Sequence, residues 1–183
     1  MSRHFLTDFS RLGRTTIIFK IIERLKIEGI KVGGMITLEE KENQKLKGFQ
    51  ILDIVTGDKV RIAILEQNEK ENIDPVVTIG TKQYKILKKN IDKVCVNSLQ
   101  KAFLDSDIII CDGIGQIEMV SEEFRIIVKE LLQSKKPVIG TIQSHKLIHN
   151  ISDKEVFIYK VTRENVTYLP LHITSEILRE IKK

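Results

Sequence analysis

The chain has little of what marks several common protein classes. Of its 183 residues only two are cysteine, Cys95 and Cys111. They fall outside CxxC and Cys/His spacing, which speaks against a zinc centre or a structural disulfide and leaves them as free thiols of a reducing compartment. No run of about 18 apolar residues occurs, so no membrane span is expected. The N-terminus "MSRHFLTDFSR" carries charge where a secretory leader needs an apolar core. The expectation is a cytoplasmic protein. No internal repeat and no low-complexity tract is visible. Positive charge is in modest excess, +5, but the lysines of "KENQKLKG", "KQYKILKKNIDK" and "QSKKP" are broken up by apolar and acidic residues. That pattern describes a solvated surface rather than a nucleic-acid stripe, so nucleic acid is not the expected partner.

What is present is the balance of one globular domain spanning 1–183, with 42% hydrophobic and 30% charged residues and enough chain for a full core. His4 to Thr7 forms a short expected strand. Thr15 to Lys26 puts Ile18, Ile21, Ile22 and Leu25 on one helical face. "GIKVGGMIT" reads as a strand, and "GFQILDIVTGDKVRIAIL" as two strands joined at Thr56-Gly57-Asp58. Residues 66–80 suggest a mobile loop and then a short strand. A helix is expected over Lys88 to Leu104, burying Val94, Leu99, Ala102 and Phe103. Ile108 to Cys111, four apolar residues between acids and glycines, fit a strand buried on both faces of a parallel sheet. Ser121 then caps a helix to Gln133 that buries Phe124, Ile127, Val128 and Leu131. "KPVIGTI" and "VFIYKV" are further strands, and Ser175 to Lys183 a closing helix. The alternation predicts an α/β fold, with a mainly parallel sheet flanked by helices and an antiparallel hairpin in the middle of the chain.

The stretch between the first strand and first helix is a broken phosphate-loop pattern. G-x-x-x-x-G-K-[ST] uses glycines to wrap backbone amides around phosphate oxygens, a lysine for the terminal phosphates and a hydroxyl for magnesium. Its eight positions fall here on Asp8, Phe9, Ser10, Arg11, Leu12, Gly13, Arg14 and Thr15. Gly13 and Thr15 keep the pattern; Asp8 and Arg14 do not. A strand ending in Asp112 could bring the carboxylate such a metal needs, or could simply be a core strand with a polar cap.

Taken together, "LGRTT" at 12–16, "VGGMIT" at 32–37, "GFQILDIVTG" at 48–57, "CDGIGQIEM" at 111–119, "KPVIGTI" at 136–142 and "TRENVTYLP" at 162–170 resemble, in order and spacing, the small thermophilic nucleoside-triphosphatase family, whose vertebrate member is cancer-related nucleoside-triphosphatase. The resemblance implies a P-loop, nucleotide-kinase-like fold. It also implies Mg2+-dependent hydrolysis of several nucleoside triphosphates, ATP and GTP among them, to the diphosphate and phosphate. Carried over by position, residues 8–15 and Thr16 belong to the phosphate loop, Thr15 and Asp112 to the metal, and Asp112 and Glu118 to catalysis. Asn165 falls where related folds approach the base, or else is a turn asparagine.

Four departures from the family's pattern stand out. Arg14 replaces the lysine with a planar, bulkier cation. Asp8 replaces the first glycine; a second negative charge about 4 Å from a phosphate repels it by roughly 4 kcal/mol at an effective dielectric near 20. Gly113 stands where the family has the glutamate that would activate water, and a general base is worth about 100- to 10,000-fold. Val166 replaces an arginine. The expectations are therefore a slow triphosphatase; or, alternatively, a catalytically inactive nucleotide-binding or interaction module of the same fold; or, third, an RNA-binding surface on a P-loop scaffold. His145 and His149 have i, i+4 spacing but no third ligand for a metal; His145 either lines the cleft or is a solvated loop residue. Ser144 has no acid-base partner nearby in sequence.

Overall fold

The computed structural model describes residues 1–7, 11–65, 75–143 and 156–182, with the backbone alone for Arg11 and Leu12. Strand β1 (Arg3–Thr7) leads into helix α1 (Arg11–Ile27), and β2 (Val32–Glu42), β3 (Lys45–Asp53) and β4 (Lys59–Leu65) follow. Next come β5 (Val76–Ile79) and β6 (Lys82–Ile86), and then a helical stretch made of α2 (Lys88–Asn90), a π-helical segment (Ile91–Cys95) and α3 (Val96–Asp105). Strand β7 (Ile108–Ile114), helix α4 (Glu122–Leu132), β8 (Val138–Ile142), β9 (Val156–Lys160) and helix α5 (Leu169–Ile181) complete the described chain.

The strands form one sheet in the order β5-β6-β4-β3-β2-β7-β8-β1-β9. From β2 to β9 neighbours run parallel; from β2 to β5 they run antiparallel. The expected middle hairpin is thus part of a larger antiparallel extension. Its outermost hairpin, β5–β6, includes "KQYKI", which the sequence did not single out. That strand alternates the buried Tyr84 and Ile86 with Gln83 and Lys85 on the other face, a pattern too short to stand out among polar neighbours.

Strand β7 shows why the parallel half is buried on both faces. Ile109 and Cys111 enter one core with Phe5, Met35, Phe124 and Leu99; Ile108 and Ile110 enter the other with Ile18, Ile21, Leu25, Ile173 and Ile177. Successive side chains of a strand point to opposite faces, so an unbroken apolar run feeds two helical layers at once. Each fully buried isoleucine or leucine contributes about 1.5–3 kcal/mol. Helix α4 is capped as expected, the Ser121 hydroxyl accepting from Phe124 N–H at 3.0 Å.

Two boundaries and one face differ from expectation. Helix α1 starts at Arg11, so Gly13 to Thr15 already lie in its opening turns. Helix α5 starts at Leu169, with Pro170 in its first turn, a position where the missing N–H costs nothing. In the 88–105 stretch the fully buried residues are Ile91, Cys95, Leu99 and Ala102, while Val94 and Phe103 are only partly buried. The π-helical segment rotates the face, because its turn takes an extra residue. Both cysteines are free and buried, and burial pushes their thiols well up.

His4 gives the fold a pH-sensitive point. It is buried in β1, stacked on Phe157 and Tyr159 and hydrogen-bonded to Tyr159 Oη and Ser2 Oγ. Burial lowers its pKa from 6.5 to about 4, against the pull of Glu180 and Glu176. The folded chain keeps the ring neutral where the unfolded chain protonates it, so the contribution is full above pH 6.5 and is lost as pH falls towards 4. Between pH 7 and 5 this amounts to about 2 kcal/mol. Urea titrations of wild type and His4→Phe at both pH values check it: the drop should shrink by about that amount in the variant, and an equal drop in both would refute it.

Candidate functional site

The carboxyl ends of the parallel strands converge on one acidic side chain. Ile36 on β2 lies opposite Asp112 on β7, and Leu6 on β1 lies opposite Thr141 on β8. The hydroxyl-bearing residues Thr37 and Thr141 therefore flank Asp112 from the neighbouring strands. From below, the second turn of α1 brings up Thr15. Thr15 Oγ1 donates to Asp112 Oδ2 at 2.7 Å, and Thr141 Oγ1 donates to Oδ1 at 2.6 Å. All three side chains are buried.

This group sits in an open cleft of about 200 Å³, lined by Arg14, Asp112, Gly113, Glu118, Thr141 and Gln143, with Ile79 and Ile114 as apolar walls. Arg14 crosses it: Nη1 donates to the carbonyl of Ile142 at 2.8 Å, tying the start of α1 to the end of β8. Glu118 lies fully buried at the floor, its Oε1 accepting from Thr37 Oγ1 at 2.7 Å. The donors around Asp112 are a carboxylate and two hydroxyls. That all-oxygen set suits a hard divalent cation, and a helix N-terminus beside it suits an anion.

A model of a family described as NTPase matches residues 3–174. The chain belongs to that family. Among relatives of this NTPase-family chain is the nucleoside-triphosphatase THEP1 of Methanocaldococcus jannaschii, 33% identical over 98% of this chain and 99% of its own length. Another is the nucleoside-triphosphatase THEP1 of Pyrococcus abyssi, 32% identical over 99% and 93%. Two solved structures share the fold. THEP1 from Aquifex aeolicus superposes with a TM-score of 0.76 at 24% identity, covering 96% of this chain and 98% of that one. The solution structure of a human cancer-related nucleoside triphosphatase gives 0.78 at 24% identity, covering 98% of each.

The structure brings together Thr15, Arg14, Asp112 and Glu118 of the residues singled out in the sequence. Gly13 is half-buried and Thr16 exposed, both in the opening turns of α1. Asp8, Phe9 and Ser10 lie outside the described residues, as do the side chains of Arg11 and Leu12, and Ser144, His145 and His149. Asn165 does not line the cleft. Its Oδ1 accepts from Thr162 N–H and its Nδ2 donates to the Lys160 carbonyl, both at 2.8 Å. Its side chain closes the turn after β9.

Five residues of the site were not singled out: Thr37, which is hydrogen-bonded to Glu118, and the cleft-lining Thr141, Gln143, Ile79 and Ile114. The first two sit inside the quoted stretches "VGGMIT" and "KPVIGTI", where a threonine ending an apolar strand is the available signal. Gln143 follows directly on the second. Ile79 carried no signal, because only the curl of the antiparallel extension brings β5 to the cleft.

Gly113 has a spatial reason as well as a chemical consequence. A Cβ there would lie 2.7 Å from Thr141 Oγ1, the hydroxyl that holds Asp112. Restoring glutamate at this position therefore disturbs the very group it would assist. Gly113→Ala, and Gly113→Glu likewise, is expected to slow phosphate release about tenfold by displacing the carboxylate. Faster hydrolysis in steady-state assays of either variant would contradict this.

Proposed function

We propose that this chain hydrolyses nucleoside triphosphates to the diphosphate and phosphate, slowly, with Mg2+ held by Thr15 and Asp112. The observation that carries the reading is the contact of the Thr15 hydroxyl with Asp112 at 2.7 Å, at the carboxyl ends of parallel strands and the start of α1. When bound, the metal would neutralise charge on the terminal phosphates. The residues supply the rest. The amides and dipole of the α1 N-terminus face the anion. Arg14 adds a fixed positive charge to the cleft wall. Thr141 fixes the second oxygen of Asp112, so that the carboxylate presents one orientation.

Gly113 offers no side chain to activate water, so turnover is slow unless another group at the cleft serves as the base. The antiparallel extension contributes Ile79 as an apolar wall, which limits the water reaching the terminal phosphate and strengthens the electrostatics there.

A melting experiment with Mg2+ and a non-hydrolysable ATP analogue tests binding. At 100 times its dissociation constant the analogue should add about 2.7 kcal/mol. Thr15→Ala should lower both this shift and phosphate release. An unshifted melting curve, or release unchanged by Thr15→Ala, would refute the reading.

A further inference from the structure

Glu118 is a buried carboxylate with a loose end. Oε1 is held by the Thr37 hydroxyl, which in turn accepts from Gly113 N–H at 3.4 Å. Oε2 is buried and meets no hydrogen-bond donor among the described residues. Leaving such an oxygen without a donor is costly, so a donor supplied in function would relieve it.

A second acceptor points to the same place. Gln143 donates its backbone N–H to the Ile114 carbonyl at 3.1 Å, and its side-chain Oε1 accepts from Gln116 N–H at 3.0 Å. Both contacts hold the side chain over the loop that follows β7. Between the two acceptors lies Gly115. A Cβ on it would stand 3.1 Å from Glu118 Oε2 and 3.2 Å from Gln143 Oε1. The two oxygens thus converge on one spot beside a residue with no side chain, at the edge of the cleft that contains Asp112. Such a cradle selects a small group with two donors.

We propose that Glu118 and Gln143 hold the attacking water, Glu118 as general base and Gln143 as its orienting partner, with Gly115 keeping the space open; this rests on the hydrolytic reading above. One O–H of the water points to Glu118 Oε2 and the other to Gln143 Oε1, which leaves a lone pair for the γ-phosphorus. As the new O–P bond forms, the bond from the γ-phosphorus to the bridging oxygen breaks, and its electron pair leaves with the diphosphate. The water's proton passes to Glu118, which then returns it to the phosphate product. Thr37 is a positioning residue, acting through Oε1. The arrangement supplies a base from the floor of the cleft, where Gly113 cannot supply one from the strand.

Single-turnover hydrolysis of ATP with Mg2+, beside binding of a non-hydrolysable ATP analogue, tests it. Glu118→Gln keeps an oxygen for Thr37 and should slow hydrolysis at least about 100-fold. Gly115→Ala puts a methyl in the cradle and should slow it by at least about tenfold. Gln143→Ala should cost about tenfold in wild type and little in the Glu118→Gln background, because both act on one water. Analogue binding and melting temperature should stay near wild type in all of them, while binding of ADP with aluminium fluoride should fall with the rate. Hydrolysis lost in Asp112→Ala but intact in Glu118→Gln and Gly115→Ala would overturn the water site alone. A parallel loss of analogue binding would overturn it in favour of a structural role. Hydrolysis intact in Asp112→Ala would overturn the site as a whole.

Discussion

Asp112→Ala is expected to cut phosphate release by about a thousandfold or more, while leaving the chain folded. The side chain is buried, and its two oxygens each accept a hydrogen bond from a threonine hydroxyl, one on α1 and one on β8. Removing it takes away the anionic ligand of the proposed metal and leaves Thr15 and Thr141 without their shared acceptor. A metal's stabilisation of transition-state charge is worth several kcal/mol, and about 4 kcal/mol corresponds to roughly a thousandfold in rate. Asp112→Asn separates the two contributions: it retains an acceptor for one threonine but not the charge, and should lose nearly as much. Rates from single-turnover assays, read beside melting curves, decide the matter. A rate within threefold of wild type in a folded Asp112→Ala protein would mean that the chemistry lies elsewhere.

The largest effect on stability is expected from Gly34→Ala. Gly34 sits in β2 at φ +116°, and a Cβ on it would lie 2.0 Å from the carbonyl oxygen of Ile110 on the neighbouring strand. The obstacle is backbone in the middle of the sheet, so no side chain can turn aside. Relief requires β2 and β7 to separate just ahead of the pairing of Ile36 with Asp112. A strained dihedral costs about 1–3 kcal/mol and the clash adds to it, for a total of at least about 4 kcal/mol. Gly57 is the natural control: it also has positive φ, +77°, but nothing lies within 4 Å of its would-be Cβ. Gly57→Ala should cost only about 1–2 kcal/mol. Urea unfolding of the two variants measures the contrast, and equal losses would show that the close approach to Ile110 does not matter.

The contrast between these glycines shows how far the sequence could be read. Both stand in recognisable settings, "VGGMIT" and "IVTGDK", yet only the neighbouring strand distinguishes a glycine that a carbonyl crowds from one that merely turns. The same holds for the helices. The apolar spacing of Ile18, Ile21, Ile22 and Leu25 located α1 because a helical stripe is local, and "DIIIC" located β7 because a strand buried on both faces needs an unbroken apolar run. "KQYKI" went unnoticed because its partner strands, not its own residues, make it a strand.

The chemistry divides along the same line. Order and spacing of short stretches determined the family and pointed to Thr15, Asp112 and Glu118, since these are properties of the chain in one dimension. Distances between residues far apart in the chain are not. Tertiary structure alone decided that Thr141 secures Asp112, that Asn165 turns to its own backbone, that a Cβ on Gly113 would crowd the Thr141 hydroxyl, and that Glu118 and Gln143 both approach Gly115. Contacts of this kind come from strand order and register, which place β2, β7 and β8 side by side although their sequences are dozens of residues apart.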